Sequence, residues 1–299
     1  MERTEPANGD PELKDPKCSV VIVNFNGGEL LLQSIAGVLS STLPVEVILV
    51  DNASSDGSAD QALAEYPGID LIRNSHNRGF AVAANQGMRA ARGVTLLLLN
   101  PDCILQPDTL ENLFDVLRCY PEVGMAGCRI LNPDGTEQRG CRRNLPTLGG
   151  GLQKALGRGN AHVPVDLHLL PLPDQPQFVE AISGAFMLVQ RKTLHEVGFL
   201  DEGYFMHCED LDWCRRFLDA GRKILFVPHV EIVHHQGSCS KARPVRVSWY
   251  LHRGMARYYR KYLAKDNGWL ISLVVIPGIY ARFAWLTVRG GFQKLVGRA

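Results

Sequence analysis

Ser19-Val20-Val21-Ile22-Val23-Asn24-Phe25-Asn26-Gly27-Gly28 decides the fold, because a β-branched run ends abruptly in a polar, glycine-bearing turn. Branched side chains favour strands, where they pack well on a pleated surface. A run with no alternating polar residue marks a strand buried on both faces. Leu30, Leu31, Ser34, Ile35, Val38 and Leu39 then share one helical face. The same grammar repeats downstream. Val45-Glu46-Val47-Ile48-Leu49-Val50 ends at Asp51-Asn52, residues 59–66 have helical spacing, 69–72 read as a strand, and 82–91 as a helix. Val94-Thr95-Leu96-Leu97-Leu98-Leu99 is a further buried strand, ending at Asn100-Pro101-Asp102. Continuous strands alternating with amphipathic helices predict an α/β fold, a Rossmann-like, mostly parallel central sheet flanked by helices.

In such sheets ligands bind beyond the carboxyl ends of the strands. Three strand ends here carry polar clusters, at 24–26, 51–58 and 100–102. Their recurrence makes a nucleotide pocket the expectation. No G-x-G-x-x-G or G-x-x-x-x-G-K-[ST] loop is present, so neither a dinucleotide fold nor a P-loop is indicated.

The 299-residue chain carries 32 Lys and Arg against 31 acids, a formal net charge of +1. A general nucleic-acid binder needs a clear basic excess, so no nucleic-acid partner is expected. None of the eight cysteines forms a C-x-x-C pair, which argues against a zinc ribbon. The start lacks the apolar core of a signal peptide, and reduced cytoplasmic thiols are expected. Residues 1–17 read as a disordered tail, and 133–176 as long loops rich in Gly, Pro and Arg. Order returns at 178–189, then come a helix at 191–197, another through 216–220, and a strand at 223–227 closed by Pro228.

Three clusters could do chemistry. In Asp51-Asn52-Ala53-Ser54-Ser55-Asp56-Gly57-Ser58, short polar residues can cap the next helix or line a turn. Asp51, at a strand end, could instead accept a hydrogen bond from a base or a ribose hydroxyl. Asp102 could bridge a hard divalent cation to a diphosphate, although Asn-Pro also commonly begins a turn. In Phe205-Met206-His207-Cys208-Glu209-Asp210-Leu211-Asp212-Trp213-Cys214-Arg215-Arg216, three acids lie within four residues. They suit either the first turn of a helix or a general base for an acceptor hydroxyl. Helical geometry lets at most one of Glu209 and Asp210 face substrate, with Asp212 structural. Further on, His234 or His235 could complete a metal shell or touch a diphosphate, and imidazole beside carboxylate tolerates Mn²⁺ as well as Mg²⁺.

Taken in order, these pieces resemble the inverting glycosyltransferases of family 2, of GT-A fold, and among them the bacterial rhamnosyltransferase-like group. The matching stretches are V-I-V-N-F-N-G, V-D-N-A-S-S-D-G-S, N-R-G-F-A-V-A-A-N-Q-G, L-L-L-N-P-D, I-S-G-A-F-M-L-V, F-M-H-C-E-D-L-D-W-C-R-R and V-H-H-Q-G-S. The resemblance implies a GT-A domain over 18–240, with a nucleotide-binding half at 18–130 and an acceptor half at 131–240. It implies that Asn24, Asp51 and Asn52 line the nucleotide pocket, with Asn77, Gly79 and Asn85 shaping its wall. Asp102 matches the second acid of the family's D-x-D metal motif, and Asn100 stands at the first. Asp210 matches the catalytic base, with Glu209 as fallback. His234 and Gly237 match the H-x-x-G-x-S pattern, whose Ser position is Cys239 here. Gly184 and Trp213 fall on the acceptor side. The implied chemistry is a single displacement from a nucleotide-diphosphate sugar, assisted by Mg²⁺ or Mn²⁺, onto a glycan or lipid-linked acceptor for cell-surface polysaccharide. The subgroup suggests dTDP-rhamnose; a UDP-hexose donor and an inactive sugar-nucleotide-binding module are the alternatives.

The C-terminal region, 241–299, interleaves Lys241, Arg243, Arg246, Arg253, Arg257, Arg260 and Lys261 with Trp249, Tyr250, Tyr258, Tyr259 and Tyr262. An apolar stretch from Trp269 follows, broken by Pro277 and Gly278 and ended by Arg282. Basic and aromatic residues flanking a short apolar helix suit a peripheral anchor at the inner face of the plasma membrane. Packing on the domain, or in a homodimer, is the alternative.

Overall fold

The computed structural model describes residues 16–149, 165–237 and 244–296, with side chains to 289. The tail expected at 1–17, apart from its last two residues, lies outside it, as do Cys239, Lys241 and Arg243.

Strand β1 (Cys18–Asn24) is buried along its whole length and is followed by helix α1 (Gly28–Leu39). Strand β2 (Val45–Asp51), helix α2 (Ser58–Glu65), strand β3 (Asp70–Arg73), helix α3 (Phe80–Ala90) and strand β4 (Thr95–Leu99) come next. Each β-strand to helix step follows the apolar runs of the sequence. The ladders β3–β2, β2–β1 and β1–β4 are all parallel, with Asn24 opposite Asp51 and Ile22 opposite Leu99. Those polar clusters therefore lie along one edge of the sheet.

A two-residue strand, β5 (Cys103–Ile104), precedes helix α4 (Thr109–Leu117) and strand β6 (Val123–Leu131). Strands β7 (Arg142–Arg143), β8 (Gln177–Phe178), β9 (Ala181–Ile182) and β10 (Phe186–Gln190) lead to helices α5 (Arg191–Val197) and α6 (Glu209–Asp219) and to strand β11 (Lys223–His234). The sheet order is β3-β2-β1-β4-β10-β6-β11-β5. β10 runs antiparallel to both β4 and β6, while β11 runs parallel to β6. A division at 130/131 falls inside β6, so the two expected halves share one sheet. Wholly buried side chains from both, among them Ile22, Leu49, Leu96, Phe186, Phe217 and Phe226, fill one core. Truncating any of the aliphatic ones to Ala costs about 2–5 kcal/mol.

Two expected ends are corrected. Pro228 does not close β11: the strand shifts register between Val227 and Glu231 and continues to His234. A bulge tolerates a residue with no N–H to give the ladder. The acidic helix also starts at Glu209, well before 216.

Beyond the sheet lie helix α7 (Pro244–Tyr258), a π-helical turn at Tyr259–Leu263, and helix α8 (Ala264–Val296). α8 continues through Pro277; its break is at Gly268, whose φ is +77°. Proline removes one helical hydrogen bond without forcing the chain to stop. Trp249 packs on Tyr280 and Phe283, and Tyr259 bonds Ser272, so one side of α8 lies along α7 and the π turn. Trp269, Leu270, Leu273, Val274, Trp285 and Val288 remain exposed. The helical stretch 244–289 contains an 18-residue window of mean hydropathy 1.7, long and apolar enough by composition to cross a membrane.

Candidate active site

The carboxyl edge of the sheet is organised by asparagines. Asn24 Nδ2 lies 3.2 Å from Asp51 Oδ1, 3.0 Å from Ser54 Oγ and 2.9 Å from Ser58 Oγ. Its Oδ1 accepts the Gly27 N–H. Asp56 takes the Gly28 N–H and the Ser58 N–H and hydroxyl. Asp56 and Ser58 thus knit the turn, while α2 begins at a left-handed Gly57 with no side-chain cap. Asn52 stitches the next loop: Nδ2 donates to Asn77 Oδ1 and Gly79 O, and Oδ1 accepts from Asn74 Nδ2 and Arg78 N–H. Gly79 has φ +88°, and a Cβ there would lie 2.7 Å from Phe205 O, so only glycine lets this loop meet the 205–210 segment.

Asn85 lies apart from this cluster's bonding. Its amide donates to Leu200 O and Glu202 Oε1 and accepts the Leu200 N–H. It is buried, and it ties α3 to the segment leading into the acidic helix.

The second cluster arises because β5 pairs antiparallel with the end of β11, placing His234 opposite Cys103. His234 Nε2 lies 3.0 Å from Asp102 Oδ1, and both side chains are buried. Nδ1 is 2.6 Å from Gln138 Oε1. Gln138 Nε2 donates to Asn132 Oδ1 and His234 O, which fixes its amide orientation. Nδ1 therefore donates to Gln138, which aims Nε2 at the Asp102 carboxylate. Asn100 Nδ2 lies 3.4 Å from the same nitrogen. His235 gives its backbone N–H to Asp102 O. Asp102, Cys103 and His234 present ligand atoms all within 4.8 Å of one another. Burial, with Asp102 beside it, raises the Cys103 thiol well above its usual range, so the oxygen and nitrogen donors are the ones suited to a hard cation.

The third cluster sits across the β9–β10 turn. Burial pushes Asp210 up, but the Arg143 guanidinium outweighs it, and an ion pair holds the carboxyl below its ordinary value. Arg143 also donates to Ile182 O. Glu209 goes the other way: burial, with Asp210's charge beside it, pushes it up to about 8. Among the described residues its Oε2 is buried with no hydrogen-bond partner. Asp212 is wholly buried and takes Arg216, Lys261 and the hydroxyls of Tyr204 and Tyr262. A Cβ on Gly184 would sit 3.2 Å from Asp210 Cβ, while the next residue, Ala185, accepts the Asn100 N–H at 3.0 Å. Two consecutive residues thus join the Asp102 side to the Asp210 side.

The family model described as Glycosyl transferase family 2 matches residues 19–170, half of the chain. The chain belongs to glycosyl transferase family 2. It is 29% identical over 241 residues to the N-acetylglucosaminyl-diphospho-decaprenol L-rhamnosyltransferase of Mycobacterium tuberculosis, covering 75% of this chain and 78% of that protein. It is 25% identical over 223 residues to rhamnosyltransferase WbbL of Escherichia coli K12, covering 72% and 82%. In structure it is similar to mannosyltransferase PcManGT from Pyrobaculum calidifontis, solved with GDP-Man and Mn²⁺. That likeness has a TM-score of 0.56 and 18% identity, over 97% of this chain and 84% of that one. The fold of this family 2 glycosyltransferase is the GT-A fold expected from its motifs.

In the glycosyltransferase one placement differs from what the motifs suggest, and two site residues lie outside every motif. The Trp213 indole is wholly buried, donates to Gly198 O and meets Phe217 edge-on, so it supports α6 from within the core. Arg143 and Gln138 were not singled out. Arg143 stands in a doublet within a stretch that reads as loop, and Gln138 carries no signal at all in one sequence.

Proposed function

We propose that the protein transfers rhamnose from dTDP-rhamnose to a lipid-linked glycan, inverting the anomeric carbon, at the inner face of a bacterial plasma membrane. The observation that carries this is the 183–185 turn, which sets an Asp102–His234 pair and an Asp210–Arg143 pair on either side of one backbone step. Asn24, Asp51 and Asn52, with the Asn77–Gly79 loop, form the nucleotide side. The donor sugar follows the rhamnosyltransferases named above.

Asp102 and His234 would hold a divalent cation, Mg²⁺ or Mn²⁺, with Asn100 alongside. When bound, it supplies charge stabilisation for the departing diphosphate, worth several kcal/mol. The protein's own part is positioning and proton transfer. Asp210, kept ionised by Arg143, takes the proton of the acceptor hydroxyl, whose oxygen attacks the anomeric carbon as the bond to the nucleoside diphosphate breaks. Such a base contributes about 10²–10⁴-fold. Glu209, held largely protonated near neutrality, is the less apt base.

α8 supports a peripheral membrane contact. One of its sides packs along α7, which leaves the exposed Trp269–Val288 stripe to face a lipid surface rather than a bundle. Arg253 and Arg260 lie nearby in sequence, are exposed, and suit anionic headgroups.

The test is incubation of the full chain with dTDP-rhamnose, Mn²⁺ and a polyprenyl-diphosphate-linked N-acetylglucosamine, read by mass and by NMR of the new linkage. A rhamnosylated product of inverted configuration is expected. Consumption of a UDP-hexose with dTDP-rhamnose untouched would move the donor to the second reading, and consumption of neither would favour a binding module. Flotation with anionic liposomes, lost in Leu270→Glu/Val274→Glu, checks the membrane contact.

A further inference from the structure

The C-terminal helices touch the segment leading into and through the first turn of α6 at several points, from Asp201 to Asp212. Arg257 and Lys261 both bond Asp201. Tyr250 stacks on Phe205, with ring centroids 4.0 Å apart and planes 14° from parallel. His207 and Cys208, at φ +67° and +69°, are consecutive non-glycine residues in the left-handed region directly before Glu209. α7 lies against that pair: a Cβ on Gly254 would be 2.7 Å from His207 O and 3.3 Å from Cys208 Sγ. Left-handed residues of this kind persist only where the surroundings over-determine them, and α7 is part of those surroundings.

The contacts culminate at Asp212, two residues after Asp210. Lys261 Nζ lies 2.7 Å and Tyr262 Oη 2.9 Å from Asp212 Oδ2. Arg216 Nε holds Oδ1 at 2.9 Å, and its other nitrogens bond Val197 O and Phe199 O. Neighbouring residues on an α-helix diverge by about 100°, yet Lys261 and Tyr262 reach one oxygen. They lie in the π turn at Tyr259–Leu263, and single π turns recur at functional sites.

We propose that Lys261 and Tyr262 are positioning residues for transfer: by clamping Asp212 in the first turn of α6, they fix where Asp210 meets the acceptor. This rests on the reading of Asp210 as the base. The helix pair is then a working wall of the acceptor side.

The experiment compares full-length parent, Lys261→Met, Lys261→Arg and Tyr262→Phe. Amide hydrogen exchange over 205–212 is read alongside kcat and donor KM with dTDP-rhamnose. Lys261→Met is expected to speed exchange over 205–212 and lower kcat by about 10²-fold, since a shift near 1 Å costs that much. Donor KM and dTDP affinity should hold, and Lys261→Arg should restore most of the rate. Tyr262→Phe removes one hydrogen bond only, so it carries the test if Lys261→Met does not fold; it should show the same split in smaller measure. Unchanged exchange over 205–212, or parent-level kcat, in the variant that folds overturns the proposal. A wrong base assignment shows separately, as parent turnover in Asp210→Asn.

Discussion

His234 Nε2 stands 3.0 Å from Asp102 Oδ1 while the ring's other nitrogen is fixed by Gln138. Asp102 and His234 would hold a divalent cation here, and Gln138 orients the imidazole that would ligate it. Gln138→Leu should weaken Mn²⁺ binding about 10–100-fold, as loss of such an outer partner typically does. Asp102→Ala should abolish the metal's effect on dTDP affinity. Calorimetry of dTDP with and without Mn²⁺ reads both; equal affinities in the parent would remove the metal role.

Arg143 controls when Asp210 can act as a base. In the parent its carboxyl is depressed, so the acid limb of kcat/KM lies below the ordinary carboxylate range. Arg143→Met removes the strongest influence opposing burial, so the Asp210 pKa rises and the acid limb moves to higher pH, with the Leu211 N–H still holding it back in part. Stranding a buried charge also costs about 3–5 kcal/mol. A pH–rate profile with an unmoved acid limb contradicts the pairing.

Asn85 is a strut between α3 and Leu200. Asn85→Ala should lower unfolding free energy by about 1–3 kcal/mol, the cost of leaving buried partners unsatisfied. Nucleotide affinity should stay near that of the parent. A loss of dTDP binding in a variant of undiminished stability would return Asn85 to the pocket wall.

Asp201 links pH to the C-terminal helices. Burial pushes its carboxyl up, but Arg257 and Lys261 prevail and hold it at about 2. A depressed carboxylate stabilises the fold above the unfolded value near ~3.9 and loses that contribution as pH falls toward the folded one. The melting temperature should therefore drop between roughly pH 4 and 2, and Asp201→Asn should flatten that part of the curve. Identical slopes would show that other acids dominate.

The first half was legible because buried strands announce themselves: Val20 to Val23, Val47 to Val50 and Leu96 to Leu99 are unbroken apolar runs. β6 was not, since Gly124, Gly127 and Arg129 interrupt its pattern and its burial comes from β10 and β11 laid on either side. Pro228 looked like a stop because nothing local signals a bulge. Asp102 and His234 were each visible as residues, yet their meeting depends on a two-residue strand, β5, that no periodicity can mark. Arg143 was hidden for the same reason: only the β7–β9 pairing carries it to Asp210.

The most direct test of the account is the single-turnover rate of Asp210→Asn with dTDP-rhamnose, Mn²⁺ and the lipid-linked acceptor, measured beside its dTDP affinity. The amide keeps the side chain's shape but cannot take a proton. We expect transfer to fall by about 10²–10⁴-fold with dTDP affinity unchanged. Transfer at the parent rate would contradict the assignment of Asp210 as the base.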